Sequence, residues 1–505
     1  MKRTNPVWIS EIDPQLAKDG PLHGLTFAIK DNIDYAGVPT TCACPESAYT
    51  PEKHAKVVER LLDAGAVAVG KTNMDQFATG LVGTRTPYGA CSSVFNPEYI
   101  SGGSSSGSAV AVASGQVDFA LGTDTAGSGR VPAAFNGIYG WKPSFGKLST
   151  DGVVPACKTL DCVSVFARTV YLLRRVHENF DLFSRMSFRR DFRFGYVDFT
   201  GDPVNEPLYR AAIARLEAVG GKPHNLNYEP FRQAAELLYS GPWVAERYAA
   251  VGQWLDHMHP VVKRIIGGAT KYSAVDAFNA CYRLDEIRRE TRDTWMGIDV
   301  LLLPTAGWIY KIAEVEATPV ELNTNLGYYT NFVNLLDLCA LAIPAGVRPD
   351  GLPFGVSLVA PRGNDAQLLE LAERLETVEV AVVGAHLTGQ PLNRQLTDRG
   401  ARLVKTTRTS RDYRLFALAN TAPPKPGLVR ESGFEGPGIE VEVWSMPASE
   451  FGSFVALIPP PLGIGTVVLA DGTTAKGFIC EPAGLTSATE ITSHGGWRSY
   501  LASKA

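Results

Sequence analysis

Three side chains set the chemical question. Ser128 lies in "GTDTAGSGR" (122–130), after small residues and ahead of a helix-like run, with no histidine close by in sequence. A hydroxyl attacks a carbonyl carbon only if some base accepts its proton as the new bond forms. Lys30 closes the apolar part of "LTFAIKDNID" (25–34), an unusual position for a charged amine. A lysine that snorkels to the surface explains such a position. A lysine held in a desolvated site explains it too, and its lowered pKa makes it a base near neutral pH. Ser104, in "GGSSSGSAVAVASG" (102–115), precedes Ser128 by 24 positions.

The loops that carry the two serines offer backbone chemistry as well. If the amides of Thr125, Ala126, Gly127 and Ser128 converge, they form an oxyanion hole beside the Ser128 hydroxyl, with Gly127 and Gly129 permitting the tight backbone. A polar turn with Asp124 and Thr125 as caps accounts for the stretch equally well. "GGSSSG" alone has the composition of a flexible linker. It runs, however, without charged or proline spacers into an apolar helix of small residues and then a buried strand, so it belongs to a core.

Those loops need a scaffold, and the hydrophobic pattern supplies one. A buried strand is expected at 25–34, a helix at 54–65 closed by Gly65, a strand at 66–72, a helix from about 107, and a strand at 117–122. Alternation of this kind predicts an α/β fold, a sheet with helices packed over it. Residues 205–295 read as mostly helical, 298–307 and 355–361 as buried strands, and 365–376 as a helix that ends a unit. Beyond it, β-rich segments alternate with Gly/Pro clusters such as "TAPPKPG" and "IPPPLGIG", and "ADGT" reads as a hairpin turn. The chain is therefore divided into residues 1–377 and a smaller β-rich domain, 378–505.

Composition excludes several classes. With 48 Lys+Arg against 52 Asp+Glu, the 505-residue chain has a formal charge of −4 and no overall basic character for nucleic acid. No apolar run approaches the length of a membrane span, and "MKRTNPVWIS" lacks the apolar core of a signal peptide, so a cytoplasmic protein with no membrane partner is expected. The eight cysteines are scattered as reduced thiols would be; "CAC" at 42–44 lacks metal-site spacing, and His257 and His259 stand alone. "GAVAVGKT" (65–72) satisfies a phosphate-binding loop pattern, but a helix precedes it and its middle is β-prone and apolar, so a strand is expected there.

Lys30 after a strand, the Gly-Gly-Ser-Ser run at 102–105 and "GTDTAGSGR" together resemble the amidase signature family over roughly residues 25–375. The resemblance implies a mixed β-sheet flanked by helices and a Ser–cis-Ser–Lys triad: Ser128 as nucleophile, Ser104 as the bridging serine in a cis peptide, Lys30 as the ultimate base. No metal or organic cofactor is implied. Further stretches, among them "PTTCACPESAYTP", "KTNMDQFATGLVGTRTPYG" and "VAVVGAHLTGQPLNRQLTDRGAR", are similar to the allophanate hydrolases, amidases with an appended C-terminal domain. That likeness implies allophanate as substrate, a functional link with urea carboxylase, and a homodimer. In the family, helices that help dimers form precede the catalytic strand. The stretch ahead of Lys30 is shorter here, and the connections at 173–195 and 375–380 are tight.

An anionic substrate also requires a cation or several donors for its carboxylate. Tyr282 and Arg289, seven apart in "AFNACYRLDEIRRETRD", share one helical face and are candidates, although such a charged face is ordinarily just solvated. Arg130 is assigned a structural role, and Tyr310 and Asn331 are assigned to packing in preference to the pocket. In the C-terminal domain, which resembles a gamma-glutamylcyclotransferase-like barrel associated with decarboxylating the first product, His386 is the candidate reactive group; a buried structural histidine is an equal reading. Two rival functions stay open: an amidase on another small amide with a non-catalytic assembly domain, and a nucleotide-binding scaffold.

Overall fold

The computed structural model describes residues 5–13, 16–180 and 191–504. Part of the tight 173–195 connection, residues 181–190, lies outside the described residues. The chain divides into two compact units, Met1–Ala372 and Glu373–Ala505.

The first unit is built on an eleven-stranded mixed sheet. Third from one edge, strand Thr26–Lys30 pairs in parallel with Val67–Thr72 on one side and Phe119–Asp124 on the other. Phe119–Asp124 then pairs antiparallel with Cys162–Ala167, and every residue of both strands is buried. Burial on both faces is what helices laid over a sheet produce, and it explains the near-continuous apolar runs. Helix Lys56–Asp63 buries Val57, Val58 and Leu61 and ends ahead of Gly65, whose φ of +91° suits glycine. Strand Val67–Thr72 follows, so "GAVAVGKT" is sheet and not a phosphate loop. Helix Ser106–Ala113 consists of Ser, Gly, Ala and Val, and these small side chains let it pack closely on Phe119–Asp124.

The mostly helical 205–295 region contains one short strand, Lys222–Asn225, at the sheet edge. Its long helix Ala274–Gly297 starts with a capping box between Ser273 and Asp276. Strands Val300–Pro304, Leu338–Val347 and Pro353–Pro361 complete the middle of the sheet. Among the described residues no helix is long and apolar enough to cross a membrane.

The second unit contains a five-stranded sheet, in the order Arg402–Arg408, Glu440–Pro447, Thr377–Val382, Thr474–Cys480, Leu462–Val468. Its outer strands meet at one end, where an isolated bridge joins Thr409 to Leu469. "ADGT" turns the hairpin between the last two strands, with Gly472 at φ +81°. A three-stranded sheet, Pro426–Arg430, Tyr413–Ala417 and Thr489–Glu490, packs with it around Val380, Val441, Val443, Val467, Phe478 and Trp497.

Candidate active site

Lys30 ends its strand with a fully buried side chain. Its Nζ lies 2.8 Å from Ser104 Oγ and 2.7 Å from Thr123 Oγ1 of the adjoining parallel strand. Ser104 Oγ in turn lies 3.0 Å from Ser128 Oγ. Amine, hydroxyl and hydroxyl thus form one continuous hydrogen-bonded line. The Gly103–Ser104 peptide is cis. Gly103 admits no larger residue, because a Cβ there would sit 2.2 Å from Asp75 Oδ2.

Burial disfavours the ammonium form and lowers the Lys30 pKa to about 7, against Asp75, Asp161 and Asp124, which favour the charge. None of these carboxylates is bonded to Lys30. Asp75 accepts the amides of Val82, Gly83 and Arg85. Asp161 accepts those of Ala156 and Cys157 and the Thr125 hydroxyl. Two other lysines are buried and bonded elsewhere: Lys71 to Thr40 and, at 3.5 Å, Asp31, and Lys142 to the carbonyls of Pro143 and Leu338.

The nucleophile loop is fixed by an ion pair. Arg130, fully buried, donates from Nε and Nη2 to the two oxygens of Asp124, each at 2.9 Å, and further to Thr330 O and Asn334 Oδ1. This is the structural role expected of it. Asp124 also accepts the amides of Gly127 and Gly129, both at 2.9 Å. The expectation for Gly127 as an oxyanion donor is corrected here: its N–H is committed to the Asp124 carboxylate. Gly127 has φ +137°, and a Cβ would lie 2.4 Å from Thr330 Oγ1.

The structure does not bring Tyr282 and Arg289 to this constellation. Both lie on the solvent side of helix Ala274–Gly297, Tyr282 62% exposed, whereas Leu284, Ile287 and Thr291 face inward. Tyr310 OH accepts a bond from Asn325, as a packed side chain does; Asn331 is buried with no partner at Oδ1 among the described residues. One buried cation bonded to the segment beside Ser128 was missed by the sequence reading. Arg247 is buried, donates to Ala78 O and Thr79 Oγ1, and lies against Tyr239. The next residue, Gly80, has its carbonyl 3.5 Å from Ser128 Oγ. A signal existed: Val244, Arg247 and Val251 form the buried stripe of one helix, so Arg247 occupies an apolar position.

In the second unit His386 lines a pocket of about 200 Å³ together with Gln395, Lys425, Leu392, Phe454 and Phe478. The imidazole stacks on Phe478 at 4.9 Å, and its Nε2 lies 2.9 Å from Gln395 Oε1. Burial lowers its pKa, with Gln395 opposing and Lys425 reinforcing the shift.

The amidase family model matches residues 7–369, and the chain belongs to that family. The model of the allophanate hydrolase C-terminal domain matches residues 378–502. The chain is 43% identical to the urea amidolyase of Saccharomyces cerevisiae over 95% of its own length, and it spans 30% of that longer protein. The allophanate hydrolase of Kluyveromyces lactis is similar throughout, with 41% identity, a TM-score of 0.70, and coverage of 99% of this chain and 94% of that one. A glutamyl-tRNA(Gln) amidotransferase chain from Thermotoga maritima is similar over 77% of this chain and 88% of its own, at 26% identity and a TM-score of 0.64.

Proposed function

We propose that the chain hydrolyses allophanate. The hydrogen-bonded line from Lys30 through Ser104 to Ser128 carries the reading, supported by similarity across both units to the Kluyveromyces lactis enzyme. Neutral Lys30 draws the Ser128 proton through Ser104 as Ser128 Oγ attacks the terminal amide carbon. The oxyanion is held by the amides of Thr125, Ala126 and Ser128. The relay then returns the proton to the leaving nitrogen, and ammonia departs. Water, deprotonated along the same path, releases N-carboxycarbamate from the Ser128 ester. Arg247 supplies the cation for the substrate carboxylate, being buried, positive and bonded to the segment that touches Ser128.

The second unit, taken as residues 378–505, completes the reaction. Its His386 pocket takes N-carboxycarbamate, where a proton delivered to nitrogen lets carbon dioxide leave. Allophanate is urea carboxylated on one nitrogen, so a urea carboxylase supplies the substrate. A cytoplasmic homodimer belongs to the same proposal and is tested by sedimentation of the purified chain. The deciding experiment is ammonia release from allophanate by the intact chain and by Ser128→Ala. The variant is expected to lose at least ~10³-fold in kcat. Turnover by Ser128→Ala at the parent rate would overturn the assignment.

A further inference from the structure

One cavity of the amidase unit lies beside the segment that touches Ser128 and has no role in the relay. It measures about 210 Å³, and its lining includes Arg85, Arg264, Lys271, Tyr239 and Tyr272 but no carboxylate among the described residues. Arg85 is 2% exposed. Its Nη1 donates to Thr79 O and its Nη2 to Pro319 O, both neutral carbonyls, while Nε has no partner among the described residues. Asp75, beside it, offsets part of the Arg85 charge but spends its oxygens on three backbone amides and does not bond the guanidinium. Arg264 and Lys271 stand exposed at the rim with no ion-pair partner among the described residues, and Lys271 Nζ sits 4.8 Å from the centre of the Tyr272 ring.

A buried guanidinium with only carbonyl acceptors and one orphaned N–H is an unsatisfied arrangement that an anion would relieve. Three cations facing one space favour a dianion over a monoanion. The space holds roughly seven waters at about 30 Å³ each, which is the size of a dicarboxylate with some seven heavy atoms.

We propose that this pocket binds small dicarboxylate dianions, Arg85 meeting one carboxylate from the floor and Arg264 and Lys271 the other from the rim. Naming its natural occupant rests on the proposed function: hydrolysis turns the monoanion allophanate into the dianion N-carboxycarbamate, and this is the species the pocket would hold near Ser128. Binding itself requires no turnover and is tested apart from it.

The test uses crystals of the intact Ser128→Ala chain soaked in selenate, a dianion whose selenium gives an anomalous peak, followed by back-soaking in malonate or in neutral malonamide. A selenium peak is expected within hydrogen-bonding reach of Arg85 Nε, displaced by malonate and untouched by malonamide. Calorimetry in solution is expected to show malonate binding weakened about tenfold in Arg264→Ala/Lys271→Ala, both exposed positions whose loss leaves the melting temperature unchanged. Absence of the peak at Arg85, failure of malonate to displace it, or unchanged malonate affinity in the double variant would each overturn the proposal. A chain that binds malonate here yet releases no ammonia from allophanate would refute the proposed function alone.

Discussion

Lys30 sits where an ammonium is poorly solvated, and the same desolvation makes it a usable base. Its neutral fraction rises as pH passes through about 7, so kcat/KM is expected to fall about tenfold per unit below that point and to level off above it. Stability follows the same group with a defined sign. The unfolded chain binds the Lys30 proton up to its ordinary value, 10.5, and the folded chain only below about 7. The folded state is therefore penalised as pH falls from 10.5 towards 7, and fully below it. Lys30→Met is expected to abolish turnover yet to melt higher than the parent, by the widest margin near pH 6; calorimetric scans at pH 6 and 10 check this. Arg247→Ala, which removes the proposed carboxylate anchor, is expected to raise KM for allophanate at least about tenfold.

At the scale of elements, the loop 122–130 is held by close approaches that leave no space for a methyl group. Gly127→Ala forces both a strained φ and a collision with Thr330, and is expected to lose about 2 kcal/mol or more of stability, read from denaturant unfolding. Conversely, Tyr282→Ala and Arg289→Ala are expected to leave kcat/KM within about twofold, since both side chains point to solvent. These two positions show where sequence reasoning stops. A spacing of seven establishes that they share a helical face, but not which face is inside; that is decided by Leu284 and Ile287 packing beneath. Lys30 was legible because an amine ending an apolar strand is locally costly, and Ser128 because it stands among small residues ahead of a helix; Ser104 was reached through the resemblance to the amidase signature family. Arg85 and Thr123 were not legible, since their partners come from segments far away in sequence. Likewise, the commitment of the Gly127 amide to Asp124 depends on a carboxylate already anchored by Arg130.

At the scale of the molecule, two compact units each carry a pocket with titratable groups, and the proposed chemistry divides between them. His386→Ala in the intact chain is expected to leave the first ammonia release unchanged while carbon dioxide lags behind it, measured by parallel ammonia and carbon dioxide traces. Simultaneous loss of both signals would place His386 in the first step instead. The alternation that predicted the sheet, and the Gly/Pro clusters that announced a β-rich second unit, were visible because they are local; the pairing order of the strands was not. In that second unit the Thr409–Leu469 bridge brings the outer strands together at one end. The smaller sheet finishes on one side with Thr489–Glu490, only two residues long, and on the other with a strand that begins at Pro426. The smaller sheet thus leaves few bare amides for a foreign strand to zip onto, and clumping through its margins is expected to be disfavoured.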